Sequence, residues 1–277
     1  MTALLANPFR TAWILFRRDL IRLLASPGLY ILIGLLALGA TAVLQNLLGT
    51  FATESVLVSA APAGGVLAGA IAIAALLAAI HGATAISGEQ EHGTLEVLFA
   101  GPVTPFGFVL AKFARSLAVY VLVAAALLVQ LSIAGLATNL RLGLHTALDT
   151  AASIVLAAPS IGVALGLSGL CRRARTSVVL LTVLFALLIL LHVGTLWLAA
   201  LDPVDTSLFV FYLREAGLRL EPVAAWLSPV DYVVAAARQL AAPSLAPISP
   251  RLAAAALYAI IALAAATLIL RRKGSSA

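Results

Sequence analysis

The residues best suited to polar chemistry gather between positions 87 and 112, SGEQEHGTLEVLFAGPVTPFGFVLAK. Glu89, Glu91 and Glu96 surround His92 there, and Lys112 closes the segment. Three carboxylates this close together, on a connector between two apolar runs, suit ionic and hydrogen-bonded recognition of a partner with a basic or donor-rich groove. The plainer alternative is that they cap and solvate a helix end. Glu96, Val97, Leu98 and Phe99 read as a short helical stretch with an apolar face, stopped by Gly101-Pro102.

Other constellations carry less. Gly166-Leu167-Ser168-Gly169 matches the Gly-x-Ser-Gly of rhomboid-type intramembrane serine proteases. The last apolar run, however, lacks the histidine that a base would require. Gly162, Gly166 and Gly169 read better as small residues where helices approach closely. His81, His92, His145 and His192 include no pair at i, i+3 or i, i+4, so a metal site is not expected. Cys171 is the only cysteine, which excludes an intramolecular disulfide. No Gly-x-x-x-x-Gly-Lys-Ser/Thr phosphate loop occurs, and the only lysines are Lys112 and Lys273. The chain is therefore expected to bind no cofactor and to hydrolyse no ATP by itself.

The elements that must position these residues are membrane-spanning helices. The 277 residues are 63% apolar and 10% charged, with mean hydropathy +1.12, against about 45–50% and about 25% in soluble domains. One core cannot hide that much apolar surface, whereas a bilayer span takes about 20 apolar residues. Apolar runs at about 29–49, 64–86, 113–137, 148–170, 176–200 and 251–270 predict six spans in one all-α, polytopic membrane domain. The basic N-terminal region lacks a small-residue cleavage site, so the first span reads as an uncleaved anchor. The pairs Asn7-Pro8, Ser26-Pro27, Thr104-Pro105, Ser228-Pro229 and Ser249-Pro250 mark helix starts. Ser228 and Asp231 have a capping-box-like spacing.

Charge orients the bundle. With the N-terminus inside, twelve Lys and Arg residues fall on the cytoplasmic side and five outside, and both termini are read as cytoplasmic. The basic residues flank apolar runs and lack interleaved aromatics on one loop, which argues against nucleic acid and for anionic membrane lipids as neighbours. Residues 10–25, RTAWILFRRDLIRLLA, are too charged to span and read as an N-terminal amphipathic interfacial helix, with Arg17, Arg18 and Arg22 on the leaflet surface. Residues 87–105 form the cytoplasmic loop. Residues 201–250 form an extracytoplasmic segment of short external or re-entrant helices before the last span.

Few polar residues lie within the spans: His81, Gln130 and His192, with Gln45 and Asn46 near the outer end of the first. Such groups face protein or water, so these five are candidates for a translocation path or for interhelical hydrogen bonds. Pro159 should kink the fourth span.

Glu89, Glu91, Gly93, Thr94, Leu95, Glu96, Leu98, Pro102 and Lys112 resemble the signature of ABC-2 type transport permeases, in which an acid-x-acid-x-Gly-Thr-Leu-Glu exit from the second span is followed by a proline and a lysine. His92 stands where that family often has a basic residue. The basic helix before the first span and Leu227-Ser228-Pro229 before the last extend the similarity more weakly. The resemblance implies a permease subunit in a bacterial cytoplasmic (inner) membrane, pairing with a second copy (a homodimer) or a related permease and resting on two copies of an ATP-binding cassette subunit that carries ATP and Mg. Residues Glu89, Glu91, His92, Gly93, Thr94, Glu96 and Leu98 would couple to that subunit, and transport would run outward. The alternatives are a non-transporting scaffold or assembly factor, and an ion-coupled secondary transporter. No carboxylate falls at mid-membrane to serve the latter.

Overall fold

The computed structural model describes residues 7–54, 62–100, 103–138, 142–200, 208–241 and 249–274. All elements there are helical: α1 (Pro8–Leu24), α2 (Pro27–Glu54), α3 (Pro62–Ala85), α4 (Ser87–Glu91), α5 (Thr94–Ala100), α6 (Pro105–Ala137), α7 (Leu144–Leu170), α8 (Ala174–Ala200), α9 (Leu208–Leu227), α10 (Pro229–Ala241) and α11 (Ser249–Gly274). Six segments are long and apolar enough to span a bilayer, namely α2, α3 with α4, α6, α7, α8 and α11.

Local chemistry sets the helix starts. Asn7 Oδ1 accepts the Phe9 amide at 3.1 Å and Thr104 Oγ1 accepts the Gly107 amide at 3.2 Å. In each case a proline then supplies the helical φ at the first position. Ser228 Oγ accepts the Asp231 amide at 3.4 Å. The reciprocal half of a capping box is missing, because the Asp231 carboxylate turns to His192 instead.

Burial separates centre from periphery. In α3 and α7, 61% of the most apolar window is buried, against 11% in α2 and in α8. Alanines at 74, 75, 78, 79 and 83 let the neighbours of α3 approach. Of the three glycines expected to serve this purpose on α7, Gly162 does so tightly: a Cβ there would sit 2.9 Å from Ala262 Cβ on α11. Gly169 would make only ordinary contact with Ile269, and Gly166 faces open space. Pro159 lies inside α7, fully packed, and Ser160 beside it donates to the Pro229 carbonyl at 2.9 Å.

α6 begins at Pro105, well before the apolar run at about 113 that predicts it. Lys112 and Arg115 interrupt the hydropathy, yet the helix continues through them because Lys112 is neutralised by partners within the fold. Residues 87–105, expected as a loop, thus contain α4, α5 and the first residue of α6.

Residues 208–241 form a helical hairpin. α9 runs back alongside α8, with Arg214 donating to the Ala199 carbonyl at 3.5 Å and Gly217 facing Thr195. The chain turns at Ser228, and α10 returns between α3, α7 and α8 with Val230, Tyr232, Ala236 and Leu240 buried. α9 is a single helix of 20 residues. The non-helical backbone at Ser228 is covered by protein, which is the condition for such backbone at membrane depth.

Candidate functional site

α1 has two faces. Ala12, Leu15, Asp19 and Leu23 recur at helical spacing and are buried, while Phe9, Trp13, Ile14 and Ile21 are exposed. The buried stripe packs on α6, and the fit at its start is close: a Cβ on Gly107 would come within 2.7 Å of the Pro8 carbonyl oxygen. Arg17, Arg18 and Arg22 are exposed, the last two flanking the buried stripe.

Asp19 is the exception on that stripe, and its partners define the site. Lys112 Nζ donates to Asp19 Oδ2 at 3.0 Å and to Glu89 Oε1 at 2.9 Å, with the Lys112 and Asp19 side chains only 3% and 4% exposed. The ammonium also stands 5.3 Å from the centre of the Phe108 ring. Arg18 bonds the other Asp19 oxygen at 3.3 Å, and Arg115 lies 4.0 Å from Oδ2. Burial works to raise the Asp19 pKa. The charge and hydrogen bond of Lys112, with Arg115 and Arg18, outweigh it and hold the carboxyl below its ordinary value.

Glu89 is also bonded by the Thr94 hydroxyl, which crosses the turn between α4 and α5. That turn needs Gly93, whose φ of +66° lies in the left-handed region. His92 is exposed and its Nδ1 meets the Gly88 carbonyl at 2.7 Å. Glu91 accepts the Ala174 amide at 3.0 Å, so its carboxylate caps the first turn of α8. In α5 the residues Leu95, Leu98 and Phe99 pack toward the core, and Phe99 meets Phe108 edge-on at 5.8 Å. Glu96 and Val97 point outward. Glu96 has no hydrogen bond or ion pair among the described residues.

Ser168, dismissed as a nucleophile, has a structural task. Its Oγ accepts the amides of Ile86 and Ser87 at 3.0 and 2.9 Å, at the break between α3 and α4. α7 thus supplies the hydrogen bonds that an interrupted helix loses. Gln90 adds a longer bond to the Gly169 carbonyl at 3.5 Å. The arrangement is mechanical: α4 is fixed to α1 and α6 through Lys112, to α7 through Ser168 and to α8 through Glu91.

The five polar residues of the spans are not brought together. His81 Nε2 meets Arg115 at 3.2 Å, and Gln130 donates to the Ala37 carbonyl at 2.7 Å, joining α6 to α2. Gln45 and Asn46 are exposed on α2. His192 is engaged by Asp231 at 2.8 Å and Arg238 at 3.3 Å, and it alone of the five lines a cavity of about 610 Å³ bounded by α8, α9, α10 and the start of α11.

Asp19 and Arg115 were not singled out by sequence, and Ser168 was weighed there only as a nucleophile. The signal for Asp19 was present: a carboxylate in register with Ala12, Leu15 and Leu23 on an apolar stripe demands a buried cation.

An all-helical fold with six spans, an interfacial helix and an ionic clasp at one end defines a multi-pass membrane protein with a braced peripheral surface. The family model described as ABC-2 family transporter protein matches residues 13–274, and the chain belongs to that family. It is accordingly a membrane-spanning permease subunit of an ABC transporter, a kind of protein that works with an ATP-binding subunit. No individual curated protein matches the chain.

Proposed function

We propose that the chain couples ATP hydrolysis on a separate cassette subunit to outward movement of a substrate across a bacterial inner membrane, as one half of a homodimer with cytoplasmic termini. α4 and α5 are the surface on which the cassette subunit acts. The observation that carries this reading is the Lys112 bridge to Asp19 and Glu89, because it ties an exposed pair of short helices rigidly to the base of α6 and to α1. A displacement of α5 then moves spans rather than bending a loop.

Within that surface the acidic residues divide. Glu89 and Glu91 are spent on internal partners, whereas Glu96 and Val97, with His92 nearby, remain available to a partner. The docking contact is therefore assigned to the outward face of α5. The test is the Glu96→Lys/Val97→Asp double variant, purified from its host with whatever cassette subunit accompanies it. The variant should keep its thermal stability, lose the co-purifying subunit and lose substrate-stimulated ATP hydrolysis. Full co-purification and full ATPase activity with both substitutions present would remove α5 from the docking site.

A further inference from the structure

At the end of the bundle opposite the Lys112 clasp, the hairpin of α9 and α10 leaves a cleft against α8. His192 lies 18 residues beyond Ala174, or roughly 27 Å along α8 at about 1.5 Å per residue, so the cleft reaches the far side of a hydrocarbon core about 30 Å thick. Exposed Trp197, Tyr212 and Trp226 surround this region on α8 and α9, as the aromatic belt of a membrane–water interface would. The walls are apolar, with Leu188, Leu191, Leu198 and Val234 among them.

The polar groups of the cleft come from different helices and are incompletely used. His192 Nδ1 meets the Asp231 carboxylate at 2.8 Å and its Nε2 meets Arg238 at 3.3 Å. Arg238 thus spends one nitrogen of its fork on the ring. Arg251, from the start of α11, and Glu221, from α9, line the same cleft and hold no ion pair among the described residues. Guanidinium groups from α10 and α11, with the carboxylates of Asp231 on α10 and Glu221 on α9 and an otherwise largely apolar lining, form a charge-balanced pattern. A fully anionic headgroup would leave Glu221 opposed to it, and a cation would meet the two arginines.

We infer that this cleft binds a zwitterionic phospholipid, its phosphate against Arg238 and Arg251, its amine toward Glu221, and an acyl chain along Leu188, Leu191 and Val234. Arginine forks suit phosphate oxygens in paired hydrogen bonds, and about 610 Å³ is in the size class of pockets that enclose a small amphiphile. The site is independent of whether the lipid is cargo, so it goes beyond the transport reading.

The experiment uses the full chain in maltoside micelles with a phosphatidylethanolamine carrying a photoreactive acyl chain, and locates the label by peptide mass spectrometry. Labelling should fall within residues 188–198 and 225–238. Short-chain phosphatidylethanolamine should compete at least about tenfold better than short-chain phosphatidylglycerol or chainless glycerophosphoethanolamine, the loss expected when charged hydrogen bonds or chain burial are removed. Arg238→Gln/Arg251→Gln should cut labelling about tenfold, Arg238→Lys/Arg251→Lys, which keeps the charges without the paired geometry, should fall between that variant and the unaltered chain, and Glu221→Gln should erase the preference over phosphatidylglycerol. Label spread evenly along α2 and α8, labelling unchanged by the glutamine variants, or competition by the chainless headgroup equal to that of the lipid would each overturn the assignment. Because the assay reads binding, its failure leaves the permease reading standing.

Discussion

Replacing Lys112 with methionine removes the centre of the clasp while keeping its length. Asp19, with a side chain only 4% exposed, then loses the nearest of its cations, and Glu89, 25% exposed, turns to water. Removing one partner of a buried pair costs about 3–5 kcal/mol. Here Arg18 and Arg115 stay within 4.0 Å of Asp19, which places the expected cost at the low end, about 3 kcal/mol. At about 2–4 °C per kcal/mol the midpoint of thermal unfolding in detergent should drop by about 6–12 °C. Adding Asp19→Asn should recover much of the loss, since the penalty comes from the stranded charge and not from the missing ammonium. The two single variants and the double variant together form a cycle whose coupling energy should exceed about 1 kcal/mol. A Lys112→Met loss below about 1 kcal/mol, the level of an exposed ion pair, with no recovery in the double variant, would refute the buried-clasp reasoning.

Three further outcomes are expected. Ser168→Ala strands the amides of Ile86 and Ser87 and should cost about 1–3 kcal/mol in the same melt, whereas Ser168→Thr keeps an acceptor and should cost less. Gly162→Ala drives a methyl to 2.9 Å from Ala262 Cβ and should destabilise by about 1–3 kcal/mol, with Ala262→Gly partly restoring the loss. The Asp19 carboxyl titrates below its ordinary 3.8, so its contribution is fully present above that value and disappears as pH falls through the lowered one. The melting difference between the chain and its Asp19→Asn variant should therefore stay constant from pH 8 to about 5 and shrink only below about 4.

The spans were legible because six apolar runs separated by prolines and polar residues leave little choice in a bilayer. The start of α6 was not, since hydropathy counts Lys112 as a charge and cannot know that Asp19 and Glu89 neutralise it. Among the carboxylates, spacing alone could gather Glu89, Glu91 and Glu96 but could not divide them. The division depends on partners such as Lys112 and the Ala174 amide, which only folding brings alongside. The polar span residues were read as lining a path or forming interhelical hydrogen bonds, because a sequence names no partners. In three dimensions His81, Gln130 and His192 each found a separate neighbour. The hairpin at 208–241 was visible as a segment too interrupted to span, but its insertion between α3 and α7 follows from small side chains on those helices, a property of the pair that no single window reports.

The clasp also gives the leaflet a part in the machine. α1 presents Trp13, Ile14 and Ile21 outward while Asp19 grips Lys112 from within, so the helix floats on the bilayer like an outrigger lashed to the foot of α6. On the proposed coupling, a push on α5 would meet the elastic resistance of the surrounding lipid through that lashing as well as the stiffness of the bundle. Torque that would otherwise tilt the whole protein would then be borne by the membrane surface, and the thickness and tension of the bilayer would enter the work of each proposed stroke.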